Sequence, residues 1–304
     1  MKKFVAFAGY ACNNRCGFCV HLYRRGVPPL STRAVVAALA AARADGCDWA
    51  ELIGGEATVR PDVLTLVAAA RRLGYARVAM ATNGRMFARP GFARAAVDAG
   101  LTDVMLSIHG AEPALHDALT GAPGSLEELL EGAGRLHAAG VPRLSANTTV
   151  VRANVGALQG IGRLLLRLGL MQAEFIFVDP SSGGAARDPA AWMPRLFEAA
   201  PALRRLLGLG REAGTRGWRV RYVPLCLFRD WLDQVSELRE RQAFSEVRHL
   251  APDFYNPDVT ASRRESARVR TPRCRGCALA DDCEGLWRAY VELWGDAELE
   301  PVNA

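Results

Sequence analysis

Lysine is almost missing from this chain. Lys2 and Lys3 are the only two, every other basic residue is arginine, and the net charge is +6. A basic stripe interleaved with aromatics is missing too, so nucleic acid is not expected as a partner. No apolar run reaches the length of a membrane span, and no membrane partner is expected. The opening "MKKFVAFAGYAC" has the charge of an export signal but not its length, because Gly9 and Cys12 interrupt the apolar run. It reads instead as a first buried strand. Internal repeats and low-complexity segments are also lacking. Without an export signal, the eight cysteines point to metal binding or redox chemistry in a reducing cytoplasm, not to disulfides.

What remains is an ordinary globular composition, 50% hydrophobic and 23% charged. The 304 residues are too many for one compact core and too few for three, which predicts one large domain and a smaller appendage. Strands are predicted at 4–9, 49–55, 76–82, 102–108, 143–151 and 173–179, with helices between them. The first helix has Ser31 as N-cap and Gly46 just past its end. The second has Pro61 in its first turn, and the third covers about 89–99. The fourth is split around 121–124, and the fifth covers 154–169. Six strand–helix units of about 30 residues imply a parallel α/β sheet with right-handed crossovers, either open or closed toward a barrel. After Pro180 the rhythm breaks: a turn-rich stretch, a Leu/Arg helical region to about 216, then a strand at 218–223. The expected division is a core over 1–180, a connecting region over 181–223 and a metal-bound unit over 224–304.

"ACNNRCGFCV" sets Cys12, Cys16 and Cys19 directly after the first strand, spaced Cys–x3–Cys–x2–Cys. In α/β folds the C-terminal ends of strands carry the chemistry. Three thiolates can bind three corners of a [4Fe–4S] cube and leave one iron open. A zinc with a distant fourth ligand, or three reduced core cysteines, are the alternatives. With Phe18 before the last cysteine, the motif resembles the signature of the radical S-adenosylmethionine (SAM) superfamily. "LIGGEAT", ending the second strand, resembles that family's Gly-Gly-Glu motif in Gly54, Gly55 and Glu56. Two glycines allow close backbone approach to a cofactor, and a carboxylate can pair with an ammonium group. "ATNG" and "LSIHG" close the next two strands, so Asn83, Ser107 and His109 face the same mouth, and Asn147 on the fifth strand is a further candidate. Each also has a plainer explanation: Asn83–Gly84 is a common turn, and His109 can simply satisfy a strand end.

The resemblance covers about residues 4–180. It implies a partial (β/α)6, TIM-like barrel, open on one side to large substrates. It implies that SAM chelates the open iron and that Phe18, Gly54, Gly55, Glu56, Asn83, Ser107, His109 and Asn147 line the cofactor site. An electron from the reduced cluster then breaks a C–S bond of SAM, and a 5′-deoxyadenosyl radical abstracts hydrogen from the substrate. A flavodoxin- or ferredoxin-type donor is the implied electron source.

Cys274, Cys277 and Cys283 are spaced Cys–x2–Cys–x5–Cys, with Cys226 upstream in "VPLCLF". Four such thiols also satisfy a structural zinc. The pattern resembles the auxiliary-cluster domains of the SPASM and twitch subfamilies, but Glu284 stands where SPASM proteins have a further cysteine. One auxiliary [4Fe–4S] cluster with four protein ligands is what the resemblance implies. Cys47 stands alone and reads as a small buried hydrophobe.

The implied function is a radical SAM enzyme acting on a peptide or amino-acid-derived substrate, by maturation, crosslinking or epimerisation. Oxidation of a small molecule such as an aminocyclitol or sugar is the alternative. A non-catalytic iron–sulfur or zinc protein is an alternative of another class. Asp179 ends the sixth strand and Tyr222 lies just before Cys226, so both are candidate catalytic residues on the substrate side, with Arg152 a weaker one; each also reads as structural.

Overall fold

Nine strand-forming runs pair into one large sheet, and in the tail Arg268–Val269 pairs with Leu286–Trp287 in a separate antiparallel one. The computed structural model describes residues 1–259, 261–262 and 267–303. In chain order the strands are β1 (Lys2–Phe7), β2 (Cys47–Ile53), β3 (Arg77–Thr82), β4 (Asp103–Ser107), β5 (Arg143–Val150), β6 (Ala173–Phe177), β7 (Trp218–Arg221), β8 (Glu246–Leu250) and β9 (Tyr255–Asn256). Their spatial order is β7-β6-β5-β4-β3-β2-β1-β8-β9. All neighbours pair in parallel except β9, which is antiparallel to β8. Helices α1 (Thr32–Ala44), α2 (Val63–Arg72), α3 (Phe92–Asp98), α4 (Pro113–Thr120), α5 (Ser125–Ala138) and α6 (Leu158–Arg167) alternate with the strands. The short α7 (Gly183–Arg187) and α8 (Pro189–Trp192) follow, then α9 (Leu196–Glu212) and α10 (Ser236–Ala243).

The first helix forms where its caps dictate. Ser31 Oγ accepts from the Ala34 N–H at 3.2 Å, and Val35, Leu39 and Ala42 recur on one buried face. Gly46, at φ +87°, turns the chain into β2. The predicted split of the fourth helix is present: Gly121, at φ +58°, ends α4, and α5 restarts at Ser125. Some boundaries differ. Pro61 precedes the cap residue Asp62 instead of sitting in the first turn. The third and fifth helices begin later than expected, because single 3₁₀ turns at Arg85–Ala88 and Val155–Ala157 come first.

Strand alternation sorts the two faces of the sheet. Trp218 and Val220 of β7 are fully buried in the helix-side core, whereas Arg219 and Arg221 are half-buried on the opposite face. The same alternation sets Ser145, Asn147 and Thr149 of β5, and Glu174 and Ile176 of β6, on that second face. The sheet curls around it, for α10 reaches from one edge to the other. Arg221 Nη1 donates to Glu240 of α10 at 2.7 Å, while Phe244, just beyond α10, meets Trp49 of β2 edge to face with ring centroids 5.1 Å apart. The result is an open barrel with a half-polar lumen.

Two features exceed the expected six-stranded core. The strand predicted at 218–223 joins the sheet beside β6, and β8 docks on the free edge of β1. The tail also lacks a core of its own among the described residues: Leu286, Trp287, Tyr290 and Leu299 join the same apolar cluster as α6 and α9. Tyr290 Oη accepts from the Leu196 N–H and donates to Glu298, both at 2.8 Å. Among the described residues no helix is long and apolar enough to cross a membrane.

Trp218 is the pivot of this packing. It is 0% exposed and donates to the Leu170 carbonyl at 3.0 Å, and it fits only because Gly162 of α6 and Gly210 of α9 present no side chain to its ring. Trp218→Ala should cost about 3–5 kcal/mol of stability. Urea denaturation checks this, and a shift worth less than about 1 kcal/mol would show the cavity to have collapsed.

Candidate functional site

The site begins where β1 and β2 end. Leaving β1, the backbone of Gly9, Tyr10 and Ala11 crosses directly over Gly54 and Gly55. Gly55 N donates to Gly9 O at 3.0 Å and Glu56 N to Ala11 O at 2.8 Å. A Cβ on Gly54 would lie 2.1 Å from Gly9 O, and one on Gly55 would lie 2.3 Å from both Tyr10 O and Ala11 O. Gly54 also has φ +143°. The absence of side chains at both glycines is what permits this backbone-to-backbone crossing. A cleft of about 470 Å³ opens beside this crossing, bordered by Gly9, Ala11, Glu56, Ser31, Thr32 and Arg60.

Glu56 is buried, and its carboxylate is already engaged. Oε1 accepts from Thr58 N at 3.0 Å, Thr58 Oγ1 at 2.6 Å and Thr82 Oγ1 at 2.8 Å; Oε2 accepts from Asn83 N at 2.6 Å. This ties the end of β2 to the end of β3. Asn83 in turn donates from Nδ2 to Asn13 Oδ1 at 2.7 Å, inside the cysteine loop, and lies 4.0 Å from Cys12 Sγ. Whatever else it meets, Glu56 is the strut that sets Asn83 against Cys12.

The cysteine loop is gripped from several sides. Arg85 Nη1 donates to Asn13 O at 2.6 Å and to Asn14 Oδ1 at 2.9 Å. Arg15 N donates to Thr120 O at 2.6 Å. The turn-rich stretch after Pro180 supplies the rest. Gly184 N donates to Cys19 O at 3.0 Å, a Cβ on Gly184 would lie 1.7 Å from Gly17 O, and Trp192 packs on Gly17 and Phe18. Sequence reasoning missed Gly183, Gly184 and Trp192; the adjacent glycines were the signal, read there as looseness.

Burial first, then repulsion from Cys19 and Cys12, pushes the Cys16 thiol up to about 12. Burial also raises Cys12 and Cys19, against N–H donors from Asn14 at 3.3 Å and His21 at 3.4 Å to their sulfurs. Three such thiols become thiolates together only around a cationic group, so the donor set suits a metal cluster. In the tail, Cys226, Cys274, Cys277 and Cys283 line one enclosed hollow of about 20 Å³. Burial, reinforced by the other three cysteines, raises Cys226 to about 11. N–H groups of Leu225 and Gly285 point at Cys283 Sγ, and that of Val302 at Cys277 Sγ, at 3.3–3.4 Å. Among the described residues no three His, Cys, Asp or Glu side chains converge as a set for one metal ion. The sulfurs surround a space instead of meeting at a point.

His109 is a core residue. It is 5% exposed, its Nδ1 accepts from Thr149 N at 3.2 Å, and its ring meets the edge of Phe18 at 5.0 Å. Burial, with repulsion from His116, lowers its pKa to about 3, so it is neutral near pH 7. Phe18 and His109 thus support the cysteine loop from below. Ser107 and Asn147 are register partners on the lumen face, and the same row continues through Glu174 to Arg219. Sequence reasoning missed Glu174 and Arg219; the alternation in "WRVRYV" was the available signal. Asp179 accepts from Ser181 N at 2.8 Å and so caps its own turn. Tyr222 is turned to the tail: its ring lies 5.0 Å from Trp287 of the short strand Leu286–Trp287. Among the described residues it alone, glycine aside, has a positive φ, +64°, which its N–H bond to Glu237 at 2.6 Å maintains. Arg152 lies over Trp294, 5.9 Å from its ring, and Cys47 is fully buried in the core.

Glu56→Ala should strand the Thr58, Thr82 and Asn83 donors and loosen the cysteine loop, costing on the order of 3 kcal/mol. Iron uptake should fall with stability, measured together by reconstitution and melting; full iron content in the variant would remove the strut role. His109 and His116 make a separate prediction. Burial depresses both, to about 3 and about 4, so the unfolded chain takes up protons first as pH drops. Stability is fully present above about pH 6.5 and should decline from there toward pH 4. A double His→Gln variant should show a shallower decline of Tm with acidification; an unchanged slope would assign the acid sensitivity elsewhere.

Comparison with known proteins agrees with this geometry. Residues 8–156 match the family model described as the Radical SAM superfamily. The chain is 36% identical over 133 residues to an AdoMet-dependent heme synthase of Nitratidesulfovibrio vulgaris, covering 44% of this chain and 35% of that one. It is 30% identical over 189 residues to a PqqA peptide cyclase of Methylorubrum populi, covering 61% and 48%. The chain thus spans less than half the length of these relatives. In fold it is similar to Streptococcus suis SuiB bound to precursor peptide SuiA, with TM-score 0.67 at 15% identity, over 99% of this chain and 74% of that one. It is also similar to anSMEcpe with bound AdoMet and a Cp18Cys peptide, with TM-score 0.55 at 14% identity, over 68% and 59%. The crossing of β1 over the Gly-Gly-Glu turn and the three thiols beyond it fall within the matched stretch, and residues 8–156 make up a radical SAM superfamily domain.

Proposed function

We propose that the protein is a radical SAM enzyme acting on a peptide or amino-acid-derived substrate. The observation that carries this reading is the triplet Cys12, Cys16 and Cys19, half-buried together in one loop beyond β1, where partial burial raises the pKa of each thiol. When bound, a [4Fe–4S] cluster and SAM supply one-electron cleavage of a sulfonium and abstraction of a substrate hydrogen. The chain's own part is to offer three thiolates, to support them with the Asn14 and His21 N–H groups, and to fix the loop through Glu56, Asn83 and Arg85. Ser107 and Asn147 are the proposed lumen contacts, with Gly54, Gly55, Phe18 and His109 acting as supports.

Similarity to a peptide cyclase and an open, half-polar lumen favour a peptide over a small cyclitol or sugar. The tail, within 224–304, is proposed to carry one auxiliary [4Fe–4S] cluster on Cys226, Cys274, Cys277 and Cys283, supported by their shared hollow. Four thiolates saturate such a cluster, so it accepts or relays an electron and does not coordinate substrate. A flavodoxin- or ferredoxin-type donor and a cytoplasmic location complete the proposal; all eight cysteines are free thiols, as a reducing compartment leaves them.

Anaerobic reconstitution should load about eight irons per chain, and about four once Cys12, Cys16 and Cys19 are all changed to Ala. With SAM and dithionite the native chain should form 5′-deoxyadenosine and the triple variant none. Formation by the triple variant would sink the proposal. Four irons with one zinc in the native chain would leave the radical site standing and remove the auxiliary cluster.

A further inference from the structure

The lumen row Ser107–Asn147–Glu174–Arg219 ends on an arginine whose charge is not matched. Glu174 sits directly beside Arg219 in register but turns to Arg221, whose Nε donates to it at 2.7 Å. Arg221 is held by Glu240 as well. Arg219 forms no ion pair or side-chain hydrogen bond among the described residues, and its Nε is buried without an acceptor. A buried donor left in that state is costly. The cation nearest in effect is Arg239 of α10, which lowers the pKa of Arg219 further after burial itself. Arg239 binds only Gln242 among the described residues. Arg219 therefore stands at this end of the lumen with no ion-paired carboxylate among the described residues: Glu174 attracts it only through space, and Arg239, exposed on α10, repels it.

Such an arginine is a receptor for an anion. A guanidinium offers a planar fork that a carboxylate fills with two charge-assisted bonds. We propose that Arg219 anchors a carboxylate of the substrate. This rests on the radical SAM reading only in naming the ligand a substrate. Asn83 lies beside Ser107, one position past the Thr82–Leu106 pair, so the row spans four strand spacings from the cysteine loop to Arg219. That is roughly 19 Å along the curved sheet. A single amino acid does not bridge this length, whereas a peptide reaches the cysteine end and still leaves its carboxylate at Arg219.

The carboxylate has two sources, a peptide C-terminus or an acidic side chain, and matched probes separate them. Full-length, anaerobically reconstituted protein with SAM is titrated with N-acetyl-dialanine and with its C-terminal amide. A second titration uses a glutamate-centred tripeptide blocked at both ends and its glutamine twin. One charged probe should bind at least about tenfold more tightly than its neutral partner. R219Q should abolish that preference and R219K should keep part of it, with near-ultraviolet circular dichroism confirming the fold of both variants. Equal binding within both pairs, or a charge preference that survives R219Q, overturns the proposal. The titrations do not depend on SAM cleavage. A charge preference in a chain that forms no 5′-deoxyadenosine would sink the radical reading and keep the anchor, and the converse result would do the reverse.

Discussion

Two backbone hydrogen bonds, Gly55 N to Gly9 O and Glu56 N to Ala11 O, decide where this protein does its chemistry. They exist because neither Gly54 nor Gly55 has a Cβ, and they aim the chain leaving β1 across the mouth of the barrel. Cys12 follows one residue later. The Glu56 carboxylate, buried by the same crossing, then gathers the ends of β2 and β3. A loop of three cysteines would be entropically loose on its own. Here its backbone is fixed at Gly9, Ala11, Asn13, Arg15 and Cys19 by strands and turns far apart in sequence.

The sequence was most informative where chemistry and spacing coincide. The cysteine triplet, the Gly-Gly-Glu turn and the six strand–helix units are all local patterns, and each was readable from a few residues. What escaped depends on distant packing. Gly183 and Gly184 read as a flexible linker, because a glycine pair reports conformational freedom and not the carbonyls of Gly17 and Cys19 that press on it. Nothing local to Glu56 showed that Thr58, Thr82 and Asn83 would also bond its carboxylate. Arg219 and Glu174 were invisible as neighbours, since only the parallel register of β6 and β7 sets them side by side. Tyr222 was placed near the lumen by its position after β7, yet its left-handed backbone swings the ring to Trp287.

The tail is stitched to the barrel more closely than its cysteine spacing suggested. Cys226 sits immediately past β7, and the N–H of Leu225 bonds Cys283 Sγ across 58 residues of chain. Trp287 and Tyr290 complete the core beneath α9. The hollow lined by four thiols is therefore continuous in structure with the lumen wall that bears Arg219 and Arg221. Glu237 and Tyr222 join α10 to the end of β7 between them.

The docking of β8 on β1 carries a consequence for how the chain is made. Lys2 pairs with Glu246 and Ala6 with Leu250, so β1 acquires its second neighbour only after all the intervening strands have been made. For most of synthesis the apolar run "FVAF" keeps one open edge, paired only with β2. An exposed apolar edge invites pairing with other chains, and contacts this distant in sequence slow the final step of folding. Until residue 250 is available, that edge of β1 has no partner strand.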